Sequence, residues 1–125
     1  MNTPLQEATR LGIPVDITPL PDGILGYYLH ADRRIELTTR LTPIEERCVL
    51  AHELGHAHFG HTYDSDRAER QADAYAVRLL IDPADFAAAE QLNPEPHAMA
   101  DELDVTVEYV ELYRKLLRLA PPVPA

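Results

Sequence analysis

His52, Glu53 and His56 stand in the pentapeptide HELGH, within a stretch, CVLAHELGHAHFGH (residues 48–61), that holds four of the chain's six histidines. Imidazoles four positions apart on a helix differ by about 40° in direction and about 6 Å in height, so His52 and His56 project from one face and can converge on one cation. Glu53 lies about 100° round from His52, beside such an ion rather than on it. There a carboxylate can take a proton from a water held at an open coordination position. Ligands of this type favour zinc, which in catalytic sites usually takes three protein ligands and a water. Two histidines leave the set one ligand short.

The metzincin pattern, H-E-x-x-H-x-x-G-x-x-H, would draw the third ligand from the same stretch. It requires glycine at 59 and histidine at 62, where this chain has Phe59 and Thr62. His61 misses the position by one residue and reads as a loop histidine, and His58 points well away from His56. Glu69, in AERQADAYA, is the better candidate. The loop before it lets the next helix return antiparallel, bringing its first turns back near the ion, and a carboxylate on such a helix is the third ligand of the gluzincin arrangement. Asp73, one turn further on the same face, is placed to accept a hydrogen bond from the free ring nitrogen of His52 or His56, which fixes the tautomer and raises its basicity. The ordinary alternatives are a pair of half-buried helix histidines without a metal, and a solvated acidic face complementing the helix dipole. Two adjacent helices that each aim an i, i+4 pair at one point favour the metal.

The elements that must position these groups are readable from caps and turn residues. Thr3-Pro4 and Gly12 bound a short helix at 3–11. VDIT (15–18), ILGYYLH (24–30) and RIEL (34–37), separated by PDG and ADRR, predict a small antiparallel meander, with Gly26 as a candidate bulge. Thr42-Pro43-Ile44-Glu45 forms a capping box opening a helix that runs to about His58. HTYDSD is a loop, and Asp66 to Glu69 reads as the next capping box, opening a helix that carries Ala72, Tyr75, Ala76, Leu79 and Leu80. Asp82-Pro83 and Asn93-Pro94 start two more helices, the second ending near Leu103, and Thr106 caps a last one ending near Leu119. The expectation is an α+β fold, three strands with five or six helices, in one domain over residues 1–120, and a flexible proline-rich tail at 121–125.

Composition narrows the partners. A net charge of −10 repels nucleic acid. Between His97 and Arg118 five acidic residues stand against three basic ones, so the helix-turn-helix rhythm there is a poor DNA reader; Val105, Tyr109, Leu112, Tyr113, Leu116 and Leu119 are expected to pack on the domain or a partner. No stretch approaches the roughly 20 apolar residues of a membrane span, nor does the N-terminus resemble a signal peptide. A cytoplasmic protein is expected. Cys48 is the only cysteine and reads as a small buried hydrophobe.

AHELGHAHFGH followed by ERQADAYAVRLLIDP resembles the ImmA/IrrE family of small metallopeptidases, whose members carry HExxH and then ExxA(D/N)xxA leading to a leucine-rich stretch and a proline. The resemblance covers roughly residues 20 to 118. It implies Zn2+ as cofactor, His52, His56 and Glu69 as its ligands, and Glu53 as the general base of peptide hydrolysis. Family members are associated with phages, integrative elements and stress responses, and the characterised theme is cleavage of a helix-turn-helix repressor encoded beside the protease. The implied partner is therefore a protein substrate of that kind, with no direct nucleic acid and no membrane, and a monomer fits this reading. Tyr63, Tyr75 and His97 are candidate oxyanion donors among which the sequence does not choose. ILGYYLH is a candidate edge for an extended substrate, although ordinary packing also accounts for Tyr27 and Tyr28. Two other readings stand beside the peptidase: a zinc-containing module that antagonises a partner by binding alone, and a purely structural metal site with four protein ligands.

Overall fold

The computed structural model describes residues 3–119; the tail expected at 121–125 lies outside them. The order of elements is α1 (Pro4–Leu11), β1 (Val15–Ile17), β2 (Gly26–Leu29), β3 (Arg34–Leu37), α2 (Pro43–Phe59), α3 (Asp66–Leu80), α4 (Pro83–Leu92), α5 (Pro96–Leu103) and α6 (Val107–Leu119). This is the expected α+β fold.

The sheet corrects the expected meander. Its order is β1-β3-β2, with β2 antiparallel to β3 but β1 parallel to β3, pairing Val15 with Ile35 and Ile17 with Leu37. Pro19 and Pro21 cannot donate to a ladder, so the chain leaves the sheet after β1, crosses, and re-enters at Gly26 to form a hairpin with β3. β1 is left to pair with the other edge of β3. Gly26 is no bulge, because its register with Leu37 is regular. A Cβ there would lie 3.1 Å from the carbonyl oxygen of Glu36 and 3.1 Å from Val49 of α2, so glycine lets the helix approach the strand.

Two capping expectations also shift. The N-cap of α3 is Ser65, whose hydroxyl accepts from the Ala68 amide, and Asp66 is the first helical residue. Glu69 is thereby free of capping and can reach across to α2. The N-cap of α5 is Glu95 rather than Asn93; Asn93 ends α4 and accepts from the Glu95 amide through its side chain. At α2 the capping box of Thr42 and Glu45 forms as expected.

α2 lies between two apolar cores. Leu50, Leu54 and Ala57 pack with Ile35 and Leu37 of the sheet and Ala8 of α1, while Cys48 and Ala51 face Ala76, Val77, Met99 and Val110 of the helical layer. Leu54 is fully buried, which contributes about 1.5–3 kcal/mol relative to an exposed leucine. Gly55, also on α2, faces α3 without a side chain. Burial on opposing sides fixes the rotation of α2, and with it the direction of its polar stripe.

Candidate metal centre

That stripe carries His52, Glu53 and His56. The Glu69 carboxylate meets both imidazoles, Oε2 lying 2.9 Å from His52 Nε2 and Oε1 lying 3.0 Å from His56 Nε2. The two Nε2 atoms are 3.1 Å apart. On the far side of His52, Nδ1 donates to Asp73 Oδ1 at 2.7 Å. This bond chooses between the two histidines that the spacing allows for Asp73, and it commits the His52 proton to Nδ1.

The donor set fits a cation. With its proton on Nδ1, His52 presents a bare Nε2 to the carboxylate, and two hydrogen-bond acceptors at this separation repel unless a proton or metal lies between them. Ligand atoms about 2 Å from a tetrahedral centre stand about 3.3 Å apart, close to the spacings here. His52, His56 and Glu69 are the residues among those described whose ligand atoms gather in this way, within 4.8 Å of one another. Glu53 stays outside the cluster, Oε1 lying 3.9 Å from His56 Nε2. Burial pushes its carboxyl up to about 7, against the pull of His52. For His56, burial together with the neighbouring rings of His52 and His61 holds the imidazole down at about 4, leaving it neutral and able to ligate at physiological pH.

The cluster opens onto a cavity of about 710 Å³, lined among others by Tyr27 and Tyr28 of β2, Val49 of α2, Tyr63, and Thr106 and Tyr109 at the start of α6. β2 is an edge strand. Of the candidate oxyanion donors only Tyr63 lines this cavity. Tyr75 stacks on His58, ring centroids 4.9 Å apart, and His97 sits exposed on α5, bonded to Glu95. His61 is not among the gathered ligand atoms; its ring contacts His56 and Gln71. Cys48 is buried.

Tyr109, which the sequence places only among packing residues, also lines the cavity. Its hydroxyl donates a long bond, 3.4 Å, to the carbonyl of Cys48, and burial drives its ionisation upward, so it remains a protonated donor beside the cavity. The contact spans 61 positions, and no local pattern announces it.

An HExxH helix packed antiparallel to a carboxylate-bearing helix, beside an edge strand, defines the zincin-like class: a peptidase domain, or a regulatory domain built on the same frame. The chain belongs to the Peptidase_M78 family, its residues 8–113 matching the IrrE N-terminal-like domain. No curated protein matches it in sequence. Among solved structures a transcriptional regulator from Mycobacterium tuberculosis is similar in fold, with a TM-score of 0.65 and 21% identity over 86% of this chain. The chain spans 38% of that protein's length.

Proposed function

We propose that the chain is a zinc-dependent endopeptidase that hydrolyses a specific intracellular protein, a helix-turn-helix transcriptional repressor of a phage or mobile element. The observation that carries this reading is the meeting of His52, His56 and Glu69 around one point, with the buried carboxyl of Glu53 next to it and a cavity in front. His52, His56 and Glu69 would hold a zinc ion, whose Lewis acidity would polarise a substrate carbonyl and make a water acidic enough to lose its proton near neutrality. Glu53 takes that proton and returns it to the leaving amine. Its burial suits both steps, because a carboxylate whose pKa is raised toward neutrality is a stronger base toward the water and, once protonated, is still acidic enough to hand the proton on. The edge strand β2 offers backbone groups to an extended substrate, and Tyr63 places a hydroxyl along the same cavity.

The test is Glu53→Gln, assayed for zinc content and for cleavage of the helix-turn-helix protein encoded beside it. Cleavage falls by about 10²- to 10⁴-fold while zinc is retained. Undiminished cleavage removes Glu53 from the mechanism, and absence of cleavage by the parent chain removes the hydrolase reading. A second reading, a zinc-containing module that antagonises its partner by binding, draws support from the structural neighbour, which is itself a transcriptional regulator. It requires Glu53→Gln to relieve repression in cells as well as the parent chain does.

A further inference from the structure

His61 misses a ligand position by one residue, yet the chain holds it in a defined place. α2 ends at Gly60 with φ 65°, and the turn is closed by two backbone bonds, Gly60 N–H to the Ala57 carbonyl at 3.1 Å and His61 N–H to the His56 carbonyl at 3.0 Å. This Schellman pattern folds the residue after the glycine back over the last turn of the helix. His61 is thereby tied to His56 through the main chain, and its ring stacks on Phe59, interplanar angle 14°.

The side chains repeat the link. His61 Nε2 is 2.8 Å from Gln71 Oε1, and His61 Nδ1 is 2.9 Å from His56 Nδ1. An amide oxygen only accepts, so the His61 proton sits on Nε2 and its Nδ1 carries a lone pair. That lone pair accepts the His56 Nδ1 proton. His56 Nε2 is then bare, and it is the atom that faces Glu69.

We infer that His61 and Gln71 are positioning residues for the metal: a relay from Gln71 through His61 sets the tautomer and ring orientation of His56, as Asp73 does for His52. The inference rests on the proposed zinc site. The two halves differ in chemistry, because a carboxylate backs His52 whereas a neutral imidazole and an amide back His56. His56 is accordingly the ligand whose readiness depends on a correctly formed turn at Gly60 and on α3 holding Gln71 opposite it.

The experiment uses the full chain and its His61→Phe, Gln71→Leu and Gln71→Glu variants. His61→Phe keeps a ring on Phe59 and removes both nitrogens; Gln71→Glu keeps an acceptor. Nitrogen-15 NMR of the metal-free proteins reads the His56 tautomer, and competition with a chromogenic chelator reads zinc affinity. The parent and Gln71→Glu show His56 protonated on Nδ1. His61→Phe shows a mixed or reversed tautomer and binds zinc about 10- to 100-fold more weakly, with Gln71→Leu in between. Parental tautomer and affinity in His61→Phe overturn the relay; should that variant fail to fold, the same result in Gln71→Leu overturns it. A parent chain that binds no zinc overturns the site reading as well, so the two failures are distinguishable.

Discussion

Gly55 of α2 lies directly against the backbone of Ala72 of α3: a Cβ at Gly55 would stand 2.7 Å from both Cα and the carbonyl oxygen of Ala72. This contact sets how closely the two helices approach. Glu69 and Asp73 flank Ala72 on α3, and His52 and His56 flank Gly55 on α2. The 2.7–3.0 Å distances between those side chains across the two helices therefore depend on a helix surface with no side chain at position 55.

Gly55→Ala is expected to push α3 outward, because the obstacle is main chain and cannot swing aside. Overpacking of this kind costs about 1–3 kcal/mol, more than the gain in helix propensity of about 1 kcal/mol. Urea denaturation should show a lower midpoint, and zinc affinity should fall with it. A variant as stable as the parent, with parental zinc affinity, would mean that the helix spacing does not govern the site.

Asp73→Asn is expected to weaken zinc binding by about 10- to 100-fold while leaving the fold intact, since the Asp73 side chain remains 39% exposed. An amide still accepts from His52 Nδ1–H but carries no charge to raise its basicity. Chelator competition measures the effect, and equal affinities in the two proteins would deny Asp73 any influence on the metal.

Zinc should stabilise the folded chain by mass action. At a free concentration 100-fold above Kd the gain is about 2.7 kcal/mol, visible as a rise in Tm that EDTA reverses. Glu69→Ala and His56→Ala should lose most of that rise. If Glu69→Ala responds to zinc like the parent, the third donor lies elsewhere.

Thr42→Ala addresses the helix rather than the site. Thr42 caps α2 through the Glu45 amide at 3.2 Å, and losing such a cap costs about 1 kcal/mol. Its position at the far end of α2 from the histidines predicts a lower denaturation midpoint with unaltered zinc affinity in the folded protein. A large loss of affinity would show that fraying of the first turn reaches the metal centre.

Much of this molecule was legible along the chain because the information is local. Caps and prolines mark the starts of the described helices within a residue or two, and the 3.6-residue period alone puts His52 and His56 on one face. The exceptions have physical causes. Ser65 displaces Asp66 as the cap of α3 because its hydroxyl reaches the Ala68 amide, and Glu95 starts α5 where Asn93-Pro94 suggested an earlier beginning.

What only the tertiary structure decided are relationships between segments with no common periodicity. Strand alternation does not reveal which edge of β3 β1 joins, so the parallel pairing escaped the sequence. Helical spacing leaves open which imidazole Asp73 serves, and places His61 merely near the end of α2; packing at Gly55 and the turn at Gly60 assign Asp73 to His52 and His61 to His56. Tyr109 reaches the cavity only because α6 packs across α3, which brings its hydroxyl to the Cys48 carbonyl of α2. Residue types determine what chemistry is available, whereas distances of about 3 Å between separate helices depend on how the whole core closes around them.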